Sequence, residues 1–239
     1  YDRMNRRVQN RKFRRFINIT QLMVFSNNGE YDDNEAVPLE GAYYATIGYE
    51  KLFFSHFREE DDSIFTRVAP LDETIESKIL TDTNLVTIKS APDYQTNTSP
   101  MTPTHRMLTS LFSKDRLLFL LRYGLAYVER TDDNGIKHLE KHVMRYPQIF
   151  ATKAIEEKLN HNDKHGVIWH TQGSGKTALA YFNVRYLTDY YQKQGIIAKF
   201  YFIVDRLDLL KQAADEFRAR GLHVDTVESK EDFTKAIGQ

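Results

Sequence analysis

Hydrophobic and polar positions change their period several times along this chain. Residues 2–16 place Arg3, Arg6, Arg7, Arg11, Lys12, Arg14 and Arg15 at spacings of three and four, which predicts one basic helix. Residues 19–26 read as a strand ending in the turn Asn27-Asn28-Gly29, and the aromatic stretch 42–49 as a second strand able to pair with it. From Arg58 to about Pro103 the periodicity decays. An acidic run at 59–62, a short helix near 75–80 and then prolines among small polar residues read as a connector. A domain boundary is therefore expected near residue 104, dividing the chain into 1–104 and 105–239. Beyond it, 105–123 carries the broad apolar surface of a helix. Residues 125–129 and 136–139 flank Asp132-Asp133-Asn134-Gly135 as a hairpin, and Pro147 opens a helix through Phe150, Ala154, Ile155 and Leu159.

The last third alternates by type. Apolar strands are expected at 167–169, 199–204 and 222–227, with helices at 177–192 and 207–218 between them. Strand-helix-strand-helix-strand implies an α/β fold with a parallel sheet and right-handed crossovers, in which ligands bind at the carboxyl ends of the strands.

At such an end lies Gly173-Ser174-Gly175-Lys176-Thr177. Glycines let consecutive N–H groups curl around a polyphosphate. Lys176 would then reach the outer phosphates as a point charge, and the Thr177 hydroxyl would ligate Mg²⁺. The full phosphate-loop pattern asks for glycine at position 170, where this chain has His170. The strand before the loop and the helix after it still place an anion at a helix N-terminus, so a nucleoside triphosphate site is predicted.

Bulk properties narrow the picture further. Lys plus Arg equals Asp plus Glu at 33 each, so general stickiness to polyanions is not expected, and the positive charge is concentrated at residues 3–15. That run has two readings, a phosphate-contacting face and a solvated helix face. The chain has no cysteine, which excludes disulfides and thiolate metal sites. No apolar run approaches the ~20 residues of a membrane helix and no secretory h-region is present, so a cytoplasmic protein without a membrane partner is expected. The start at Tyr1, inside a helical pattern, is expected to mark a piece of a longer protein.

Three stretches carry a family resemblance: Arg145-Tyr146-Pro147-Gln148-Ile149-Phe150-Ala151, residues 167–177, and Phe202-Ile203-Val204-Asp205-Arg206-Leu207-Asp208-Leu209. Together they resemble successive elements of the restriction subunit, HsdR, of type I restriction-modification enzymes. In that family His is common at the position of His170, so the departure becomes part of the resemblance. It is strongest from Arg145 onward and weaker before residue 104.

The resemblance implies a superfamily 2 DNA translocase with RecA-like lobes, here the first and incomplete, joined to the last portion of a PD-(D/E)xK nuclease fold. It implies ATP and Mg²⁺ as cofactors. Double-stranded DNA and the methyltransferase and specificity subunits are the implied partners. By position, Gln148 would read adenine, Gly173, Ser174, Gly175, Lys176 and Thr177 would hold the phosphates, with Lys176 and Thr177 acting in catalysis, and Arg206 would lie near DNA. Arg3, Arg7 and Arg11 are the remaining candidate DNA contacts.

The nuclease carboxylates are expected upstream of Tyr1 and the second acidic motor motif beyond Gln239. The isolated chain is therefore expected to bind nucleotide weakly and to catalyse neither reaction. Glu76-Ser77-Lys78 and Pro92-Asp93 imitate nuclease motifs in reversed order and read as surface. His161, His165 and His170 lack the converging ligands a zinc site needs. Two other function classes remain: an unrelated phosphate-loop NTPase, and a nucleic-acid-binding or assembly module whose phosphate loop is structural.

Overall fold

The computed structural model describes residues 2–26, 42–48, 52–227 and 229–237. The basic N-terminal segment forms two helices rather than one, α1 (Asp2–Gln9) and α2 (Arg11–Ile19). Asn10 adopts an extended conformation between them, and its side chain accepts from the Lys12 N–H at 3.0 Å, an N-cap that restarts the helix. Helix α2 runs on to Ile19, so the first strand begins later than its apolar pattern suggested, as β1 (Met23–Ser26). Val8 and Ile17 take the two helices onto Met23, Ala45, Ile47 and Leu52, a small core of its own.

Strands β2 (Ala42–Ile47) and β3 (Leu52–His56) follow, the latter not foreseen in the sequence pattern. The Asn27-Asn28-Gly29 turn lies outside the described residues. The expected hairpin forms with longer arms, β4 (Leu125–Thr131) and β5 (Lys137–Val143). Asp132 shapes its turn by accepting from the N–H groups of Asn134 (2.9 Å) and Ile136 (2.8 Å), while Gly135 takes φ 78°. All these strands join one antiparallel sheet in the order β1-β2-β5-β4, with β3 also paired to β2. The β2–β5 pairing, Ile47 opposite Lys141, joins the two sides of residue 104. Lys141 reinforces that join by donating to the Thr20 carbonyl at 2.9 Å.

The connector is more ordered than its composition suggested. It holds α3 (Glu73–Asp82) and α4 (Pro92–Thr98), with 3₁₀ turns at Asp62–Arg67 and Val86–Ser90. The helix expected over 105–123 divides into α5 (Pro103–Ser110) and α6 (Lys114–Tyr123). Leu111 and Leu120 are both fully buried in the same core. Nine residues apart, they would point to opposite sides of a continuous helix, and the break at 111–113 turns both inward.

Three further helices pack on this frame: α7 (Tyr146–Asn160), α8 (Lys176–Gln192) and α9 (Leu207–Ala219); α10 (Lys230–Ile237) closes the chain. The main core draws Tyr44 and Phe57 from the sheet side together with Val128, Met144, Ile149 and Phe182. Thr152 of α7, fully buried, donates to the Asn183 side chain of α8 at 2.8 Å. Helix α9 is clipped to β4 by Arg130, which donates to both carboxylate oxygens of Glu216 at 2.9 and 3.1 Å, a geometry that strengthens the pair. Burial raises the Glu216 pKa, but Arg130 and Arg220 outweigh it and hold the group down at about 2.

The expected parallel sheet calls for a correction. Among the described residues, 167–169, 199–204 and 222–227 belong to no strand or helix, and every strand pairing is antiparallel. Val167 and Trp169 are each 91% exposed and Ile203 is 78% exposed. A parallel strand buries both faces and needs hydrogen-bonded neighbours. Here α8 and α9 instead pack against α6, α7 and β4, leaving these segments beside the core rather than within it.

Candidate nucleotide-binding site

The loop between the exposed segment 163–171 and α8 has the backbone of an anion cradle. Gly173 has φ 74° and Gly175 φ 84°, the latter serving as the N-cap of α8 in the left-handed region. Glycine is the residue that takes such angles without strain. A Cβ at Gly175 would also sit 2.7 Å from Nε2 of Gln148 and would push that side chain off the Gly175 carbonyl. Helix α8 begins at Lys176 with no acidic residue in its first turn, so its free N–H groups and dipole face the loop unopposed.

Lys176 donates through Nζ to the Thr171 carbonyl at 2.9 Å, folding its charge back over the loop. The Ser174 hydroxyl and Nδ1 of His170 are buried atoms without a hydrogen-bond partner. Buried polar atoms are rarely left unpaired, so these two mark a place where a polar ligand fits. Thr177 stands half-buried in the first turn of α8. Positive-φ glycines, a retracted lysine and an orphaned hydroxyl together suit a phosphate chain, and a triphosphate would bring Mg²⁺ to Thr177.

Helix α7 braces this loop from below. Gln148 is 2% exposed; its Oε1 accepts from the Arg145 N–H at 2.8 Å and its Nε2 donates to the Gly175 carbonyl at 2.9 Å. Arg145 adds a bond from Nη1 to the Gly173 carbonyl at 3.2 Å. One turn of α7 therefore grips the loop on both sides of Ser174. The sequence marked Gln148 as a nucleotide contact but held no sign of this clamp, which depends on a separation of 27 residues along the chain.

Beside the loop opens a cavity of about 1000 Å³, lined by Tyr146 and Phe150 of α7, by His170 and Thr171, and by His56 and Glu60 from the chain leaving β3. The size suits a nucleoside. His56 lies against Tyr146, ring centres 5.5 Å apart. Burial, with Arg145 and Arg58 nearby, lowers the His56 pKa. Burial and the neighbouring Glu59 raise the Glu60 pKa. Neither His56 nor Glu60 was a candidate on sequence, because the strand that delivers them was not recognised.

The remaining candidates lie apart from this loop in the chain and on different elements. Arg206, N-cap of α9, is exposed and paired with Asp208 through two bonds of 3.1 and 2.6 Å; exposed pairs of this kind contribute little. Arg3 and Arg7 lie on α1 with Arg6, lining with Asn10 and Phe13 a cavity of about 490 Å³. Among the described residues none of Arg3, Arg6, Arg7 and Arg11 is paired with a carboxylate. Glu76 is held by Lys89 and by the Tyr94 hydroxyl, each at 2.7 Å, on the exposed helix α3. Nδ1 of His161 contacts the Glu157 carbonyl at 2.8 Å at the end of α7. Among the described residues no cluster of three metal-ligating side chains forms and no helix is long and apolar enough to cross a membrane.

Comparison with known proteins bears on the same stretch. Residues 141–236 match the family described as type III restriction enzyme, res subunit. The putative type I restriction enzyme MjaVIIP endonuclease subunit of Methanocaldococcus jannaschii is 38% identical over 108 residues, covering 43% of this chain and 10% of that protein. The type I restriction enzyme SauCOLORF180P endonuclease subunit of Staphylococcus aureus is 36% identical over 31% of this chain and 8% of its own length. The type I restriction enzyme SsaAORF53P endonuclease subunit of Staphylococcus saprophyticus is 38% identical over 31% of this chain and 8% of its length. The matches thus span about a tenth or less of these relatives. No solved structure matches.

Proposed function

We propose that this chain, similar over part of its length to the endonuclease subunits of type I restriction enzymes, is HsdR-like and carries the ATP-binding loop of a DNA translocase that works within a restriction complex. The observation that carries the proposal is the loop at 173–177: two left-handed glycines, an unpaired buried Ser174 hydroxyl and Lys176 at the start of α8. In this reading Lys176 leaves the Thr171 carbonyl to hold the outer phosphates, and Thr177 supplies a hydroxyl to Mg²⁺. Bound Mg²⁺ would neutralise charge building on the phosphates during hydrolysis. In this reading the motor part is residues 105–239, within which 141–236 match the restriction family, and residues 1–104 are the end of a nuclease-like domain with its connector, the two parts joined by the antiparallel sheet that crosses residue 104 in place of the parallel sheet of a complete RecA-like lobe. Double-stranded DNA, a methyltransferase subunit and a specificity subunit are its partners in the cytoplasm.

Gln148 serves the adenine edge in this reading. Its two internal bonds leave one N–H and one lone pair, the pair that adenine N7 and N6 require. Gln148→Ala is expected to weaken ATP about tenfold and GTP by less, measured by calorimetric titration. An equal loss for both nucleotides would assign Gln148 to holding Gly175 alone.

Arg3, Arg7 and Arg11, with Arg206, are the proposed DNA phosphate contacts. Replacing the first three by Gln is expected to flatten the slope of log K against log salt for duplex binding by about 2.7, close to 0.9 for each phosphate no longer neutralised. An unchanged slope would remove α1 and α2 from the DNA interface.

A further inference from the structure

The strap leaving β3 approaches the nucleotide site from the sheet side and is too well anchored to be an incidental neighbour. Phe57 is fully buried, its ring centre 6.5 Å from that of Phe150 on α7. Glu59 is buried as well. It pairs with Arg116 of α6 and accepts from the N–H groups of Glu60 and Asp61 at 3.0 and 3.1 Å. Arg116 in turn stacks over the Phe150 ring at 5.0 Å. This turn fixes the backbone of Glu60 at the cavity wall, and among the described residues the Glu60 carboxylate makes no hydrogen bond or ion pair.

Electrostatics decide which part of a nucleotide would meet that carboxylate. A triphosphate offers no donor to it and repels it. A nucleoside offers two kinds of donor, the ribose hydroxyls and, in adenine, the exocyclic amine. The cavity holds both kinds of partner side by side: His56 lies against Tyr146 at the start of α7, and Glu60 shares the wall with His170, Thr171 and Ser174 of the loop. A base would stack on the ring pair, which leaves the unpaired carboxylate to the hydroxyl donors of the ribose.

We propose that the strap 55–60 is the ribose wall of the nucleotide pocket, with the Glu60 carboxylate accepting from the ribose hydroxyls and the His56–Tyr146 pair forming the shelf beside the base. The inference rests on the nucleotide reading of the loop. It makes Glu60 the residue that selects ribonucleotides over deoxyribonucleotides, and it ties nucleotide occupancy to the antiparallel sheet through β3.

The test titrates the chain, with Mg²⁺ present, against ATP, 2′-deoxy-ATP and inosine triphosphate, which lacks the exocyclic amine. The unaltered protein is expected to favour ATP over 2′-deoxy-ATP about tenfold, and Glu60→Gln to reduce that ratio to about two. Lys176→Ala should weaken all three nucleotides alike and leave the ribose ratio unchanged. If Glu60→Gln keeps the full ribose ratio while Lys176→Ala loses affinity, the ribose wall is wrong and the phosphate reading stands. If Glu60→Gln loses discrimination against inosine triphosphate instead, the carboxylate serves the amine and the ribose assignment falls. No binding of any of them at about 10 mM, or full affinity in Lys176→Ala, overturns the nucleotide reading and this inference with it.

Discussion

Lys176→Ala is expected to weaken ATP binding by about 100-fold, near 3 kcal/mol, the upper range for a charge-assisted bond to an anion. The physical reason is the position of the ammonium group. Lys176 is the first residue of α8, and its Nζ folds back to the Thr171 carbonyl across the loop, so its charge already sits where phosphate would arrive. The substitution should leave folding intact, because the side chain is exposed and its one protein bond is to a backbone carbonyl at the loop's start. Circular dichroism should be unchanged while calorimetry with ATP and Mg²⁺ shows the loss. Retained affinity would mean that the glycine loop is a structural turn, and the assembly-module reading of the chain would replace the motor reading.

The second large effect is on stability. Phe57→Ala is expected to cost about 3–5 kcal/mol, read as a lower midpoint in urea denaturation with little change in slope. Phe57 is fully buried and joins the strap after β3 to α7 through Phe150. It belongs to a core that also holds Met107, Leu120 and Phe182 from beyond residue 104. Unfolding is therefore expected to remain a single transition in the variant. A loss under about 1 kcal/mol, or two separate transitions, would show that the core does not bind the two sides of residue 104 into one unit. Nucleotide affinity should fall too, because the same side chain anchors the strap carrying His56 and Glu60.

These two residues differ in how far they could be read in advance. Lys176 announces itself, since Gly-x-Gly-Lys-Thr after an apolar run and before a helical pattern is a local signal. Helix α8 begins at Lys176, with Gly175 as its N-cap. The Asp132–Gly135 turn and the Pro147 helix start are equally local and form as their residue types demand. Phe57 and Glu60 lie in a stretch whose pattern shows no strand, at the foot of an acidic run that reads as solvated. Their roles come from Arg116, which pairs with Glu59, 57 residues before it, and from Phe150, 93 residues beyond Phe57.

The apolar segments 167–169, 199–204 and 222–227 make the converse point. Their composition is that of buried parallel strands, yet composition states only what a segment can pair with. Whether it pairs depends on a neighbour being present at the right edge, and among the described residues the antiparallel strands have taken the sheet positions. Asn10 and Leu111 are intermediate cases. The helices they interrupt were visible as periodic patterns, but the breaks follow from a cap and from two leucines that must reach one core.

What the chain's residues determine alone is the short-range chemistry: the glycine-lysine loop at the start of α8, the hairpin turn, the helix starts and the similarity to restriction subunits, because each depends on groups a few residues apart. What only the tertiary structure decided is the company that chemistry keeps. The grip of Gln148 on Gly175, the sheet shared across residue 104 and the carboxylate of Glu60 beside the cavity all join groups far apart in sequence. Such contacts arise when the whole core closes, and no local period records them.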